Sequence, residues 1–185
     1  MQLGGKSYFW LEKTNVVSMI QEYQVSGFRV REYEELGSTN TEAERVGWSE
    51  LEDKMVILTY RQTQGRGQVG NHWESEPGKN ISMTVVFKPR ELPAGQQFAV
   101  SMVIALGTYD FISRYVGECS VKWPNDIYVG DRKISGILIE HSIMGRYVGG
   151  SLCGIGVNIN QERFLSDAPN PVSLFQLIGG EILVE

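Results

Sequence analysis

From residue 120 to residue 158 the chain reads as sheet, and that run limits the folds open to it. Residues 120–123 and 127–129 have strand character and are separated by Pro124-Asn125-Asp126. Gly130-Asp131 is a hairpin signal. Residues 134–140 and 147–158 continue as further strands, joined near Gly145. Pro124 cannot donate to a ladder, so it marks a break where Asn125 and Asp126 expose their polar atoms. Two apolar strands come earlier, residues 55–60 (MVILTY) and 81–87, the second closed by Pro89. Residues 96–116 carry apolar side chains at 98, 102, 105, 106, 109, 112 and 116, which predicts a helix with that stripe buried. Near the start, Asn15 is placed to cap a short helix through Tyr23, and residues 28–34 alternate as a strand. Thr39 and Glu42 fit a capping box for a helix ending near Gly47. Asn170-Pro171 opens a last short helix over 172–178. The sum is an α+β fold, a mixed β-sheet with helices packed mainly on one face.

A chain of 185 residues suits one domain and buries enough core to need no staple. With 17 basic and 22 acidic residues the net charge is −5, which excludes a general electrostatic grip on nucleic acid. Any anionic ligand must be held by locally placed cations. Cys119 and Cys153 are the only cysteines, and two lone thiols fit a reduced, cytoplasmic protein. His72 and His141 are far apart, and no metal-spaced cluster or Ser-His-Asp pattern accompanies them. The apolar stretch over 98–116 is interrupted by Ser101, Gly107, Asp110, Ser113 and Arg114, too polar for a membrane span. Residues 1–10 hold no long apolar core and no cleavage-like small-residue pattern, so no signal segment is expected there.

Gly65-Arg66-Gly67-Gln68-Val69-Gly70 matches G-x-G-x-x-G after a strand. A dinucleotide fingerprint needs a helix to begin inside the motif, and Pro77-Gly78 leaves no room for one. What remains is a glycine-rich loop over 63–78 whose amides can approach a ligand, with Arg66 as a planar fork for phosphate or carboxylate. A plain hairpin loop explains the spacing equally well. Lys122-Trp123-Pro124-Asn125-Asp126 is followed by Lys133, seven residues after Asp126. The hairpin lays the two segments side by side, so Asp126 and Lys133 converge. A surface ion pair is the simpler account of such a pair taken alone. Gly154-Ile155-Gly156-Val157-Asn158 would allow close backbone approach, or simply mark a bulge.

Together these segments resemble the biotin protein ligases, over about residues 30 to 160. The matching residues are Gly37-Ser38-Thr39-Asn40; Gln62 with Gly65-Arg66-Gly67 and Trp73; the KWPND run at 122–126; Lys133 with Gly136-Ile137-Leu138 and Glu140; and Gly154 to Asn158. The resemblance implies a catalytic domain of the class II aminoacyl-tRNA synthetase/biotin ligase-like kind, related to lipoate ligases. It implies that biotin and ATP, with Mg²⁺, give biotinyl-5′-adenylate, and that a lysine of a biotin carrier domain is then acylated. The carrier would belong to a biotin-dependent carboxylase such as acetyl-CoA carboxylase. By the same resemblance Lys133, Arg66 and Asp126 are the catalytic group. Lys133 would lie between carboxylate and α-phosphate, Arg66 would close over the adenylate, and Asp126 would orient or deprotonate the acceptor lysine. Ser38, Thr39, Asn40, Gln62, Gly65, Arg66, Gly67, Lys133 and Gly136 would bind biotin. Arg66, Gln68, Trp73, Asn125, Lys133 and Asn158 would serve the adenylate. No carboxylate cage for Mg²⁺ stands out, and a homodimer is left open.

The sequence departs from the family at three places. Many bacterial members carry further arginines in the glycine loop where this chain has Gln68 and Asn71, which predicts looser adenylate retention. The first 27 residues are too few for a helix-turn-helix domain, so no repressor role and no DNA partner are expected; the polar interruptions of 98–116 leave no membrane partner expected either. The family's small C-terminal β-barrel is not in the sequence, so residues 1–185 are expected to be one catalytic domain. A lipoate ligase on the same fold and a silent vitamin-binding domain are the rival readings.

Overall fold

A computed structural model describes residues 18–183 other than Val69. Its centre is an eight-stranded mixed sheet. The strands are β1 (Met19–Val25), β2 (Phe28–Tyr33), β3 (Met55–Thr59), β6 (Ile81–Phe87), β7 (Ser120–Lys122), β8 (Asp126–Val129), β9 (Arg132–Met144) and β10 (Tyr147–Val157). Two further pieces, β4 (Gly65–Arg66) and β5 (His72–Trp73), form a separate two-stranded ribbon. Across the large sheet the order is β1-β2-β3-β6-β10-β9-β8-β7. β2 and β3 run parallel, linked through helix α1 (Thr39–Val46), and the other neighbours are antiparallel. Gly130 and Gly145 turn the two hairpins at φ 61° and 62°, a region that L side chains avoid.

Residues of a strand alternate between the faces of the sheet, and the faces here differ in task. On one, Cys153, Ile155 and Val157 of β10 stand beside Val85 and Met83 of β6. Helix α2 (Phe98–Val116) and helix α3 (Leu174–Ile178) pack there on a core of Ala105, Ile112, Ile127, Ile134, Val172 and Leu174. On the other, Met55, Ile57, Val86 and Leu152 pack under Ala43 of α1. The remainder of that second face, beyond α1, is the floor of a cavity.

The expected strands are present with small shifts at their ends, and Ile81–Phe87 coincides with its expectation. Four expectations fail. Residues 19–23 form β1 in an antiparallel hairpin with β2 and not a helix, and Asn15 lies outside the described residues. The helix cap is Ser38, with Thr39 already inside the helix, and no capping box forms. The Thr39 backbone N–H donates instead to Gln62 Oε1. A capping box does form at Ser173 and Gln176. Helix α2 has the expected extent but not the expected buried stripe. Val100, Ala105, Thr108 and Ile112 are buried, whereas Phe98, Met102 and Leu106 are 40%, 50% and 58% exposed. Finally, the glycine segment is not all loop, since β4 and β5 pair within it, Gly65 with Trp73 and Arg66 with His72.

Candidate functional site

The floor of the cavity is built by omission. Gly154 and Gly156 of β10 and Asn158 just beyond its end face the cavity in succession, and Gly136 of β9 lies opposite Gly156. A Cβ on Gly156 would stand 2.5 Å from Nε1 of Trp73, and one on Gly136 would stand 2.9 Å from its Cζ3. The indole therefore lies directly on two backbones, which only glycine permits. A Cβ on Gly154 would meet Oδ1 of Asn40 at 2.5 Å. Along β10 the order is thus Asn40, Trp73, Asn158, and Trp73 separates a polar end near α1 from a second end near Asn158. The cavity has a volume of about 660 Å³. Of the residues predicted for the site, thirteen line it: Ser38, Thr39, Asn40, Gln62, Arg66, Gly67, Gln68, Trp73, Asn125, Asp126, Lys133, Gly136 and Asn158. Gly65 does not. It sits behind Trp73, where a Cβ would collide with the Trp73 carbonyl and approach Nε2 of Gln62 at 2.9 Å.

The first end is an uncharged hydrogen-bonding cluster. Gln62 Oε1 accepts from the Thr39 backbone N–H at 2.9 Å, and Thr39 Oγ1 lies 3.4 Å from it. Nε2, the donor end of Gln62, is the part not engaged by Thr39. Thr84 Oγ1 lies 2.8 Å from Thr39 Oγ1 and 2.5 Å from Asn40 Oδ1. Asn40 Nδ2 donates to Glu140 at 2.7 Å. Ser38, Thr39, Asn40 and Thr84 are all buried, so their geometry is held by neighbours and not by solvent.

Charge enters at the middle. Strands β8 and β9 place Asp126 and Lys133 on one hairpin, and Nζ of Lys133 lies 2.8 Å from Oδ1 of Asp126. The same ammonium is 5.9 Å from the Trp73 ring centre. Arg66 is engaged elsewhere, donating to Glu140 at 3.0 Å and to Glu44 at 3.4 Å. Gln68 reaches across the mouth to donate to Asn125 Oδ1 at 3.3 Å, while Nδ2 of Asn125 donates to the Ile137 carbonyl. Among the described lining residues Arg66, Lys122 and Lys133 face Glu74, Asp126 and Asp167, so the two signs balance. No group of three or more His, Cys, Asp or Glu that could hold a metal occurs among the described residues.

The second end has an unpaired acceptor. Asn158 is 2% exposed; its Nδ2 donates to the Val172 carbonyl at 3.0 Å, and its Oδ1 has no partner. Nε1 of Trp73 is likewise buried without an acceptor. A buried polar atom left unpaired costs about 1–3 kcal/mol, and a ligand that supplies the partner recovers it. Over this end runs an irregular segment contributing Phe164, Ser166, Asp167, Ala168, Pro169 and Pro171. The sequence reading missed that segment, and it missed Glu74, Gly154 and Gly156 as lining residues. The glycines stood in a motif that could have found them. The segment and Glu74 carried no periodic or motif signal.

The family model described as "Biotin/lipoate A/B protein ligase family" matches residues 33–158. A biotin–[acetyl-CoA-carboxylase] ligase of Paracoccus denitrificans is 36% identical over 127 residues, covering 66% of this chain and 51% of its own. The bifunctional ligase/repressor BirA of Bacillus subtilis is 27% identical over 165 residues, covering 86% of this chain and 50% of its own. The chain thus spans about half the length of these relatives. A biotin protein ligase from Aquifex aeolicus, solved in complex with biotin and ATP, superimposes with a TM-score of 0.68 at 25% identity, over 83% of this chain and 62% of that one. With the matched region taking in every predicted site residue, from Ser38 to Asn158, the chain belongs to the biotin/lipoate A/B protein ligase family.

Proposed function

We propose that this chain activates biotin with ATP to biotinyl-5′-adenylate and transfers the biotinyl group to a lysine of a biotin carrier domain. The observation that carries this reading is the order of groups along one cavity floor. A neutral hydrogen-bonding cluster stands at one end, a cation beside Trp73 in the middle, and an unpaired buried acceptor at the other end. Biotin's ureido ring is neutral and matches Ser38, Thr39, Asn40 and Gln62. Its carboxylate would lie over Gly136 and Gly156 toward Lys133. An adenine amino group would donate to Oδ1 of Asn158, with Trp73 as the partition and Asn125 at the mouth.

In the first step a biotin carboxylate oxygen attacks the α-phosphorus of ATP. The bond to the β-phosphate bridging oxygen breaks and pyrophosphate leaves. Lys133 offsets the two approaching negative charges, a preorganised stabilisation that needs no covalent intermediate on the protein. To do so it must exchange Asp126 for the ligand. Asp126, once released, is placed to accept a proton from the acceptor lysine, whose ammonium cannot attack. The neutral amine then attacks the acyl carbon and AMP leaves. Arg66 would join the phosphate by leaving Glu140 and Glu44. Mg²⁺ would enter with ATP as the MgATP substrate and would supply positive charge to the phosphates. Gln68 and Asn71 add no charge to the loop, so the adenylate should leave faster than from relatives with arginines there. The acceptor carboxylase subunit and a cytoplasmic location belong to the same proposal.

The test is incubation of the chain with biotin, MgATP and a biotin carrier domain, with carrier mass and pyrophosphate as readouts. Biotin-dependent pyrophosphate release followed by one biotinyl group per carrier supports the assignment. Lipoate replacing biotin as the better substrate, or no release with either, removes it.

A further inference from the structure

The segment from Gln161 to Pro171 is fastened at both ends by the backbone and in the middle by one side chain. At its start, the Asn160 N–H donates to the Lys79 carbonyl at 2.7 Å, and buried Gln161 accepts from Asn80 Nδ2 at 2.5 Å and from the Glu76 N–H at 3.1 Å. At its end, the Lys133 N–H donates to the Asn170 carbonyl at 2.8 Å, and the Val172 N–H returns to the Lys133 carbonyl at 2.9 Å. In between, the bonds that hold residues 164–169 to the rest of the described chain end on Glu74. The Leu165 N–H donates to its Oε1 and the Ser166 N–H to its Oε2, each at 2.8 Å. Gln161 Nε2 adds a third bond to Oε1 at 2.9 Å. Leu165 is 91% exposed, so apolar packing of this stretch is confined to the half-buried Phe164.

We propose that Glu74 is a positioning residue for the nucleotide half of the cavity, holding the 164–169 segment as the outer wall against which ATP and the adenylate are retained. The proposal rests on the ligase reading above. Three features support it. A carboxylate is the one side chain that accepts from two neighbouring N–H groups and an amide at once without offering a competing donor. Glu74 directly follows Trp73, so the partition of the cavity and the fastener of its outer wall move as one piece of chain. The wall's far end is bonded to the backbone of Lys133, so wall, indole and ammonium share one frame. Burial acts to raise the Glu74 pKa, but hydrogen bonds from the Ser166 side chain, from the Leu165 and Ser166 backbone N–H groups and from the Gln161 amide outweigh it and hold the carboxyl below its usual value. The fastener is therefore charged at neutral pH.

Glu74→Gln keeps the shape and turns one acceptor oxygen into a donor that opposes an N–H; Glu74→Ala removes both. In the unliganded chain, amide hydrogen exchange at Leu165 and Ser166 should rise about tenfold or more in both variants, while the core strands keep their protection. In pyrophosphate release, KM for MgATP should rise about tenfold and KM for biotin should stay within about twofold. A KM for MgATP equal to that of the unaltered chain, a parallel rise of both KM values, or unaltered exchange at the two amides would each overturn the proposal. Failure of the unaltered chain to release pyrophosphate would instead bring down the ligase reading, and the exchange experiment would still decide whether Glu74 holds the wall. If Glu74→Ala does not fold, Glu74→Gln carries both measurements.

Discussion

Lys133 and Gly156 show how single residues divide the work. Lys133 sits at the centre of the cavity with its ammonium on Asp126, and both side chains remain partly exposed. We expect Lys133→Ala to abolish adenylate formation, read as pyrophosphate release. It should lower stability by less than about 1 kcal/mol, read by denaturant midpoint, because a partly solvated ion pair contributes little. Gly156 is the opposite case, a residue with no functional atom. Its substitution by Ala drives a methyl group into the indole of Trp73. We expect Gly156→Ala to displace the ring, at a cost of about 1–3 kcal/mol, with a changed tryptophan emission and weakened biotin binding. Both residues stood in motifs legible without coordinates, because charge, proline breaks and paired glycines are local signals. Glu74 was not legible. Its role depends on backbone N–H groups some ninety positions later in the chain, and a lone Glu in a polar loop carries no mark of its partners.

At the scale of elements, the sheet was readable wherever one face is buried. Period-two patterning survives in β6, and β-branched content marks β3. Helix α2 was readable in length but not in phase, because it is apolar nearly all round and the burial direction is set by β7, β8 and β9 beneath it. Strand β1 escaped notice because all its residues are exposed, leaving no alternation to find. Two expectations concern the β9/β10 pair. His141 Nδ1 lies 2.8 Å from the buried Ser151 hydroxyl, and burial holds the imidazole below its ordinary pKa. A group with a depressed folded-state value contributes stability above its unfolded value. That contribution is lost as the pH falls through the folded value. Stability should therefore decline below about pH 6.5, and His141→Gln should flatten that slope in urea titrations at a series of pH values. On the same face of that pair, burial pushes the Cys153 thiol up to about 12, and Cys119 is also buried and raised by burial. Neither should react with a disulfide reagent at pH 8 until the chain is unfolded, a result read by absorbance.

For the whole molecule the decisive fact is that the cavity lies on the central sheet and not on an appended loop. Ligands that bind only the folded chain stabilise it by mass action. Biotin with MgATP at a hundredfold excess over Kd should add about 2.7 kcal/mol, seen as a raised Tm. Either ligand alone should raise it less. β10 and the residue that follows it present Gly154, Gly156 and Asn158 to the cavity, and Cys153, Ile155 and Val157 to the main core, residue by residue in turn. The same peptide planes thus serve recognition on one side and cohesion on the other. Drift in this strand is penalised twice, so related chains that come to prefer a different acid or retain their intermediate for longer are expected to differ in the glycine ribbon and the outer wall, while the floor beneath them stays as it is.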